Sequence, residues 1–111
     1  MIGETRSVSA IRPGQLYTEL WASLATMLRS YTALHGLKQE RQAAVEADSE
    51  FITVRHGEKQ LVLKREGTKA VWRGNDAAGD FEIRPDGSLD FPEGPVEMDM
   101  KAEEWARELM Q

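Results

Sequence analysis

The two histidines are the first side chains to consider for catalysis, because histidine serves most often as a general acid or base. His35 closes a helix-like segment just before Gly36, and His56 begins a turn-like segment. Neither has a serine, a carboxylate or a second histidine at motif spacing, and the patterns GxSxG, HExxH and HxH are all missing. The sequence therefore predicts no catalytic residue, and we expect a binding protein rather than an enzyme.

An acidic segment near the end of the chain partly imitates a calcium-binding loop. Asp86–Asp90, followed by Glu97, would supply oxygen ligands at four loop positions. The sixth position, which requires glycine for its sharp turn, is Phe91, and Pro92 and Pro95 interrupt the loop. A hairpin turn followed by a short strand explains the same residues, so we predict neither a metal site nor a cofactor.

Charge is distributed unevenly along the chain, whose net charge is −5. Residues 37–74 carry eight bases and six acids, whereas residues 75–111 carry three bases and eleven acids. The middle segment contains a candidate basic patch with Trp72 among its residues, and basic strands with an aromatic platform can hold single-stranded nucleic acid. The patch comprises Arg55, Lys64 and Arg73. Acids intervene along these strands and the protein as a whole is acidic, so we expect nucleic-acid binding to be disfavoured.

Hydrophobic periodicity predicts a helix near each end of the chain. Pro13 suits the first position of a helix, and apolar residues then recur at three- and four-residue spacing up to Leu34. Gly36 should end this helix in the left-handed conformation. Asp99 should cap a second helix that continues through residue 110.

Between the helices, short β-type runs alternate with turn signals from Arg41 to Phe91. We predict an antiparallel meander of five to six strands, with both helices packed on one face as a two-layer α+β sandwich. Residues 41–47 alternate like a strand, although residues 37–48 are also rich in helix formers, so a short helix there is an alternative. The proline at position 92 and the one at position 95 should end the pairing, because proline cannot donate to a ladder.

The length of 111 residues predicts one domain over residues 13–111, preceded by a mobile tail over residues 1–12. Cysteine is absent, which excludes disulfides and a thiolate metal site and fits a reducing compartment. No stretch approaches the roughly 18 apolar residues of a membrane span, and no signal-peptide core follows Met1. We therefore expect an acidic cytoplasmic protein without a membrane partner.

The first helix carries an apolar arc that is wider than one sheet face requires. Tyr17, Trp21 and Leu28 form one edge of this arc. In one interpretation, Trp105 and Leu109 of the last helix cover that edge and complete the core. In the other, the edge is an exposed aromatic stripe for a partner, since Tyr and Trp are favoured interface anchors.

Three functional hypotheses follow. The leading one is a non-enzymatic protein-interaction module, such as an adaptor, a regulator or a chaperone-like protein. It would form a homodimer and act through the sheet face or through an interaction set that comprises Tyr17, Trp21, Leu28, Trp72 and Trp105. The second is a small-ligand-binding protein or cofactor-free enzyme, whose pocket between the helices and the sheet would be lined by Trp72, Trp105, Tyr31 and His56. The third is nucleic-acid binding through the basic patch.

Overall fold

The computed structural model describes residues 13–37 and 39–111, which form two helices and seven strands. In chain order the elements are α1 (Pro13–His35), β1 (Ala44–Ala47), β2 (Phe51–His56), β3 (Lys59–Glu66), β4 (Lys69–Arg73), β5 (Ala78–Ile83), β6 (Leu89–Phe91), β7 (Gly94–Val96) and α2 (Met98–Leu109). The strands pair antiparallel in one sheet in the order β1 to β7. The α+β class with an antiparallel sheet is confirmed, and the sheet has seven strands instead of five to six. The predicted tail over residues 1–12 lies outside the described residues.

Alternation along the strands gives the sheet one buried face and one open face. Ile52 and Val54 of β2 and Leu61 and Leu63 of β3 are buried, while the residues between them are more exposed. The buried side chains of the sheet and those of both helices form one hydrophobic cluster. The face opposite the helices, the open face, carries the remaining strand side chains.

Helix α1 contributes Trp21, Leu24 and Leu28 to this cluster. Leu34, which the periodicity placed on the apolar arc, is 58% exposed. At 100° per residue Leu34 lies about 110° around the helix from the mean direction of the three buried residues, so it points away from the sheet. The apolar arc therefore extends beyond the part of α1 that the sheet covers.

The expected left-handed Gly36 is wrong, because its φ is not among the positive values of the described glycines. A Cβ at Gly36 would lie 3.0 Å from Met110 Cε and 3.1 Å from the Thr32 carbonyl oxygen. Glycine leaves room here for the end of α1 to lie close to Met110. The helix therefore ends at the predicted residue, but for a different reason.

Strand β1 resolves the ambiguity of residues 37–48, since Ala44–Ala47 pair with β2. The expectation that prolines end the pairing after β6 is wrong. Pro92 and Glu93 make a tight connection, and β7 then pairs with β6, Asp90 opposite Pro95. Proline is tolerated because β7 is an edge strand, whose outer side needs no donor.

Helix α2 begins two residues earlier than Asp99 would allow as a cap. Glu97 occupies the N-cap position without a side-chain cap hydrogen bond, and Asp99 lies in the first turn, where the helix dipole favours a carboxylate. His35 Nε2 and Glu103 Oε2, 2.8 Å apart, join the end of α1 to α2. Within the described part of the chain, neither helix is apolar over enough length to cross a membrane.

Candidate functional site

The open face of the sheet offers the broadest surface that the helices leave uncovered. Register places Phe51, Lys64, Val71 and Asp80 side by side across β2 to β5. Phe51 is 40% exposed and Val71 is 52% exposed, so two large apolar side chains lie on this face without cover. Lys64 lies between them on β3, and Val62, two residues along the same strand, is half-buried. The middle of the open face therefore combines apolar side chains with one lysine.

Charges on the open face separate into two halves. The basic half, on β2 to β4, comprises Arg55, Lys64, Lys69 and Arg73, with one acid, Glu66, opposite Lys69. The acidic half, on β5 and β6, comprises Asp80, Glu82 and Asp90. Glu82 lies directly opposite Asp90, and like charges in that position destabilise a strand pair. Lys69 lies directly opposite Glu82 on its other side, so a basic side chain of a partner would complete a compensation that this chain makes in part.

Contacts within the basic half leave most of its charge available. Lys64 Nζ lies 5.8 Å from the centre of the Phe51 ring. Arg55 Nη1 is 3.9 Å from Glu46 Oε1, with both side chains more than half exposed, so this ion pair is weak. A shallow groove of about 570 Å³ crosses the boundary between the halves, between Lys64 and Lys69 on one side and Asp80 and Glu82 on the other.

A second candidate site lies between the sheet and α2, where four aromatic rings meet. We call this group the aromatic cluster; it consists of Trp72, Phe81, Phe91 and Trp105. Ring centres lie 5.1 to 6.1 Å apart in tilted or edge arrangements, which aromatic pairs favour. Gly79 faces Trp72 across the ladder, and the indole lies against its backbone.

The ammonium group of Lys101 lies over this cluster. Its Nζ is 4.8 Å from the centre of Phe91, 5.0 Å from Trp105 and 6.0 Å from Trp72, all within cation–π range. It also bonds Glu104 Oε1 at 3.2 Å, and its side chain is 17% exposed. A groove of about 530 Å³ opens beside it, walled by Trp72, Phe91 and prolines. Asp80 and Glu93 also line this groove, so the ammonium group, already paired with Glu104, lies among carboxylates.

The proposed interaction edge of α1 is not exposed as a stripe. Trp21 and Leu28 are each 1% exposed, and Tyr17 is partly buried against the same core. Trp21 Nε1 donates to the Asp48 carbonyl at 3.0 Å, which ties α1 to the turn after β1. Trp105 packs in the aromatic cluster, where its aromatic partners are residues of the sheet. A contact between the Trp105 and Trp21 rings is not among its aromatic contacts. These residues complete the core of one chain.

The basic patch is brought together on one face, but without Trp72. Arg55, Lys64 and Arg73 all point to the open face, whereas Trp72 belongs to the opposite face. The exposed aromatic side chain beside the patch is Phe51. The sequence placed Trp72 among the basic residues, and the strand alternation separates them.

The predicted pocket lining is also divided. Trp72 and Trp105 meet at 6.0 Å between ring centres. Tyr31 instead lines a surface groove beside α2 with Glu103 and Arg107, and His56 bonds the Arg41 carbonyl at 3.2 Å at the far end of β2. Sequence reasoning missed Lys101, although its spacing of four residues before Trp105 places both on one helix face.

The acidic turn residues have structural roles. Backbone N–H groups of Glu50 and Phe51 bond the Asp48 carboxylate at 2.8 Å and lower the pKa of Asp48 below its ordinary value. The backbone N–H and hydroxyl of Ser88 lower the pKa of Asp86 in the same way. Across residues 13–37 and 39–111, no three His, Asp or Glu side chains converge as metal ligands would.

Fold and surface define an α+β protein with a one-sided antiparallel meander and an uncovered, charge-divided face. Comparison with family models, with curated proteins and with solved structures gave no match. The function must therefore be argued from the surface.

Proposed function

We propose that this chain is a non-enzymatic, cytoplasmic protein-interaction module that works as a homodimer and binds a protein partner through the open face of its sheet. The observation that carries the proposal is the pair of exposed apolar side chains, Phe51 and Val71, which flank Lys64 of the basic half and adjoin the acidic half at Asp80. Apolar centres bordered by charge are typical of recognition surfaces. The partner surface would present an apolar centre with the reverse order of charges.

The apolar and the charged side chains of the open face would contribute differently to binding. Burial of Phe51 and Val71 would supply affinity through the hydrophobic effect. The charges would steer the approach and fix the orientation, because exposed charges contribute more to association rate and specificity than to affinity. Binding should therefore weaken as salt is added, with the association rate more sensitive than the dissociation rate.

Matched charge reversals test this assignment. Lys64→Glu changes the open face, and Arg107→Glu makes the same charge change on α2, where Arg107 is exposed. Proteins captured from a nuclease-treated extract by the wild type should be retained by Arg107→Glu and lost by Lys64→Glu. Equal capture by all three baits would refute the role of the open face. If proteins were captured from an untreated extract and none from the nuclease-treated extract, nucleic-acid binding would be favoured instead.

A second candidate function rests on Lys101 and the aromatic cluster. The groove beside Lys101 has room for an aromatic carboxylate, whose ring would stack on Trp72 while its charge replaced Glu104 at the ammonium group. Titration with indole-3-carboxylate, followed by tryptophan fluorescence and by melting temperature, tests this function. Binding that is present in the wild type and lost in Lys101→Met would support it. No change in either signal at millimolar concentration would remove this candidate for that class of ligand.

A further inference from the structure

The two edges of the sheet differ in how they are protected against pairing with another strand. Strand β7 has three residues and contains Pro95, which blocks further pairing. Strand β1, the sequence Ala44–Ala47, contains no proline, lysine or arginine, and its register with β2 runs without a bulge. An edge of that kind is a template for an additional strand.

The backbone groups that β1 leaves unpaired can be assigned from the hairpin. Asp48 N donates to Phe51 O at 2.9 Å, so Asp48 directs its backbone groups towards β2. The backbone N–H and C=O groups of successive residues in an antiparallel strand point to opposite sides. Those of Ala44 and Glu46 therefore point towards β2 as well. Val45 and Ala47 then direct their N–H and C=O groups outwards, away from the sheet.

The helix surface beside this edge is depleted of charge. Arg29, Thr32 and Ala33 of α1 share a groove with Ala43 and Val45 at the sheet edge. On the side of α1 that faces this groove, the exposed side chains between positions 22 and 33 are Ala22, Thr26, Arg29 and Ala33. Three of these four are small and uncharged in a chain whose residues are 30% charged. Interface centres are depleted of charge, and small side chains allow two helices to approach closely.

We propose that a second copy of this chain pairs with β1, antiparallel and across a two-fold axis, to form one continuous sheet of fourteen strands. A symmetric pairing that uses the outward groups can place Val45, Glu46 or Ala47 on the axis. The Glu46 register sets two carboxylates directly opposite each other, and the Ala47 register sets Glu46 opposite Asp48, both of which are unfavourable. The register with Val45 on the axis avoids both contacts.

That register also brings opposite charges together. Glu46 of the second copy lies opposite Ala44, whose neighbour on β2 is Arg55. Because Ala44 has a short side chain, the Arg55 guanidinium can extend over it towards that carboxylate. Within one chain the Arg55 pair with Glu46 is long, at 3.9 Å, and most of the Arg55 side chain is exposed.

The surface beside this edge is small for a dimer. The part of α1 that lies along β1 runs from Trp21, bonded to the Asp48 carbonyl, to Ala33, which shares the groove with Val45, and it is about 20 Å long. With a helix-and-sheet thickness of about 20 Å this gives about 400 Å² per copy, about half of the roughly 800 Å² of a standard interface, so we expect a weak dimer. The inference rests on the self-association part of the proposed function and leaves both open faces free on the same side of the joined sheet.

Engineered cysteines test the register, since the chain contains none of its own. Val45→Cys places two cysteines about 5.5 Å apart by their Cα atoms across the axis, within disulfide range. Ala47→Cys is the matched control, because the same register holds its two copies more than about 8 Å apart. Mild oxidation should give a covalent dimer with Val45→Cys and monomer with Ala47→Cys. Cross-linking of Ala47→Cys at an equal rate, or of neither variant, would overturn the inference.

Ala47→Pro tests the edge without cysteines, because it removes an outward N–H and leaves the pairing with β2 intact. Light scattering should give about twice 12.5 kDa for the wild type and 12.5 kDa for Ala47→Pro, with unchanged circular dichroism. A monomeric wild type at millimolar concentration, or a dimeric Ala47→Pro, would refute edge pairing. Selective loss of partner capture by Lys64→Glu would still stand in that case, so the two proposals fail separately.

Discussion

The effect of Gly79→Ala on the free energy of unfolding should change sign according to whether Trp72 is present. A Cβ at Gly79 would lie 2.8 Å from Trp72 Nε1 and 3.1 Å from Cε2, closer than the ring can tolerate without moving. Trp72 is packed against Trp105 at 6.0 Å between ring centres, so displacement of the indole disturbs the aromatic cluster. Overpacking of this kind costs about 1–3 kcal/mol.

The same substitution has a favourable part that does not depend on Trp72. Gly79 has no positive φ, and alanine in an extended strand restricts the unfolded chain, which stabilises by about 0.4–1 kcal/mol. The net effect of Gly79→Ala in the wild type should be a loss of about 1–2 kcal/mol. In a Trp72→Val background the clash is removed, and Gly79→Ala should then stabilise by about 0.5 kcal/mol.

Urea unfolding followed by far-UV circular dichroism measures all four corners of this double-mutant cycle. The coupling free energy should be about 2 kcal/mol. Gly74→Ala is the matched control, because its Cβ would lie 3.9 Å from Trp72 Cζ3, an ordinary contact. An equal free-energy change for Gly79→Ala with and without Trp72 would refute the reasoning.

Four further substitutions probe the turns, the core and the open face. Asp48→Asn should destabilise the protein at pH 7. The difference in stability from the wild type should shrink as pH falls below 3.8 towards the lowered pKa of Asp48, because protonation removes the charge that the backbone hydrogen bonds stabilise. Urea midpoints at several pH values measure this difference. A constant difference from pH 7 to pH 2 would contradict it. Leu63→Ala should cost about 2–5 kcal/mol in chemical unfolding, whereas Val71→Ala, on the open face, should cost less than about 0.5 kcal/mol; equal losses would contradict the assignment of the two faces. Gly67→Ala should cost about 1–2 kcal/mol because Gly67 has φ of 67°, and an unchanged melting temperature would count against a left-handed turn there.

The fold was predictable from the sequence to the level of its local patterns. Apolar residues at every second position identified β2 and β3, and apolar residues at three- and four-residue spacing identified both helices. Strand β7 was missed, because Pro95 argues against a strand unless its edge position is known. Edge position is a property of the whole sheet, so no local signal could provide it.

The candidate sites were predictable only in part, for a similar reason. Residue types identified the basic patch, but Trp72, which the sequence analysis placed among its residues, lies on the opposite face of β4. The burial of Trp21 and Leu28 depends on how far α1 lies over the sheet, which periodicity does not give. Lys101 was missed because a lysine reads as solvated surface until the aromatic rings beneath it are assembled.

The strict order of the meander has a kinetic consequence. Every strand pairs with its neighbour in the chain, so the hairpins can form with short loops. Contact between α1 and α2 instead joins residues about 70 positions apart, such as His35 and Glu103, and closure of so long a loop costs more entropy than closure of any one hairpin. We expect substitutions at the contact between the helices to slow folding, whereas substitutions in outer hairpins mainly speed unfolding. We therefore expect the contact between the two helices to limit the folding rate, although the sheet forms from local strand pairs.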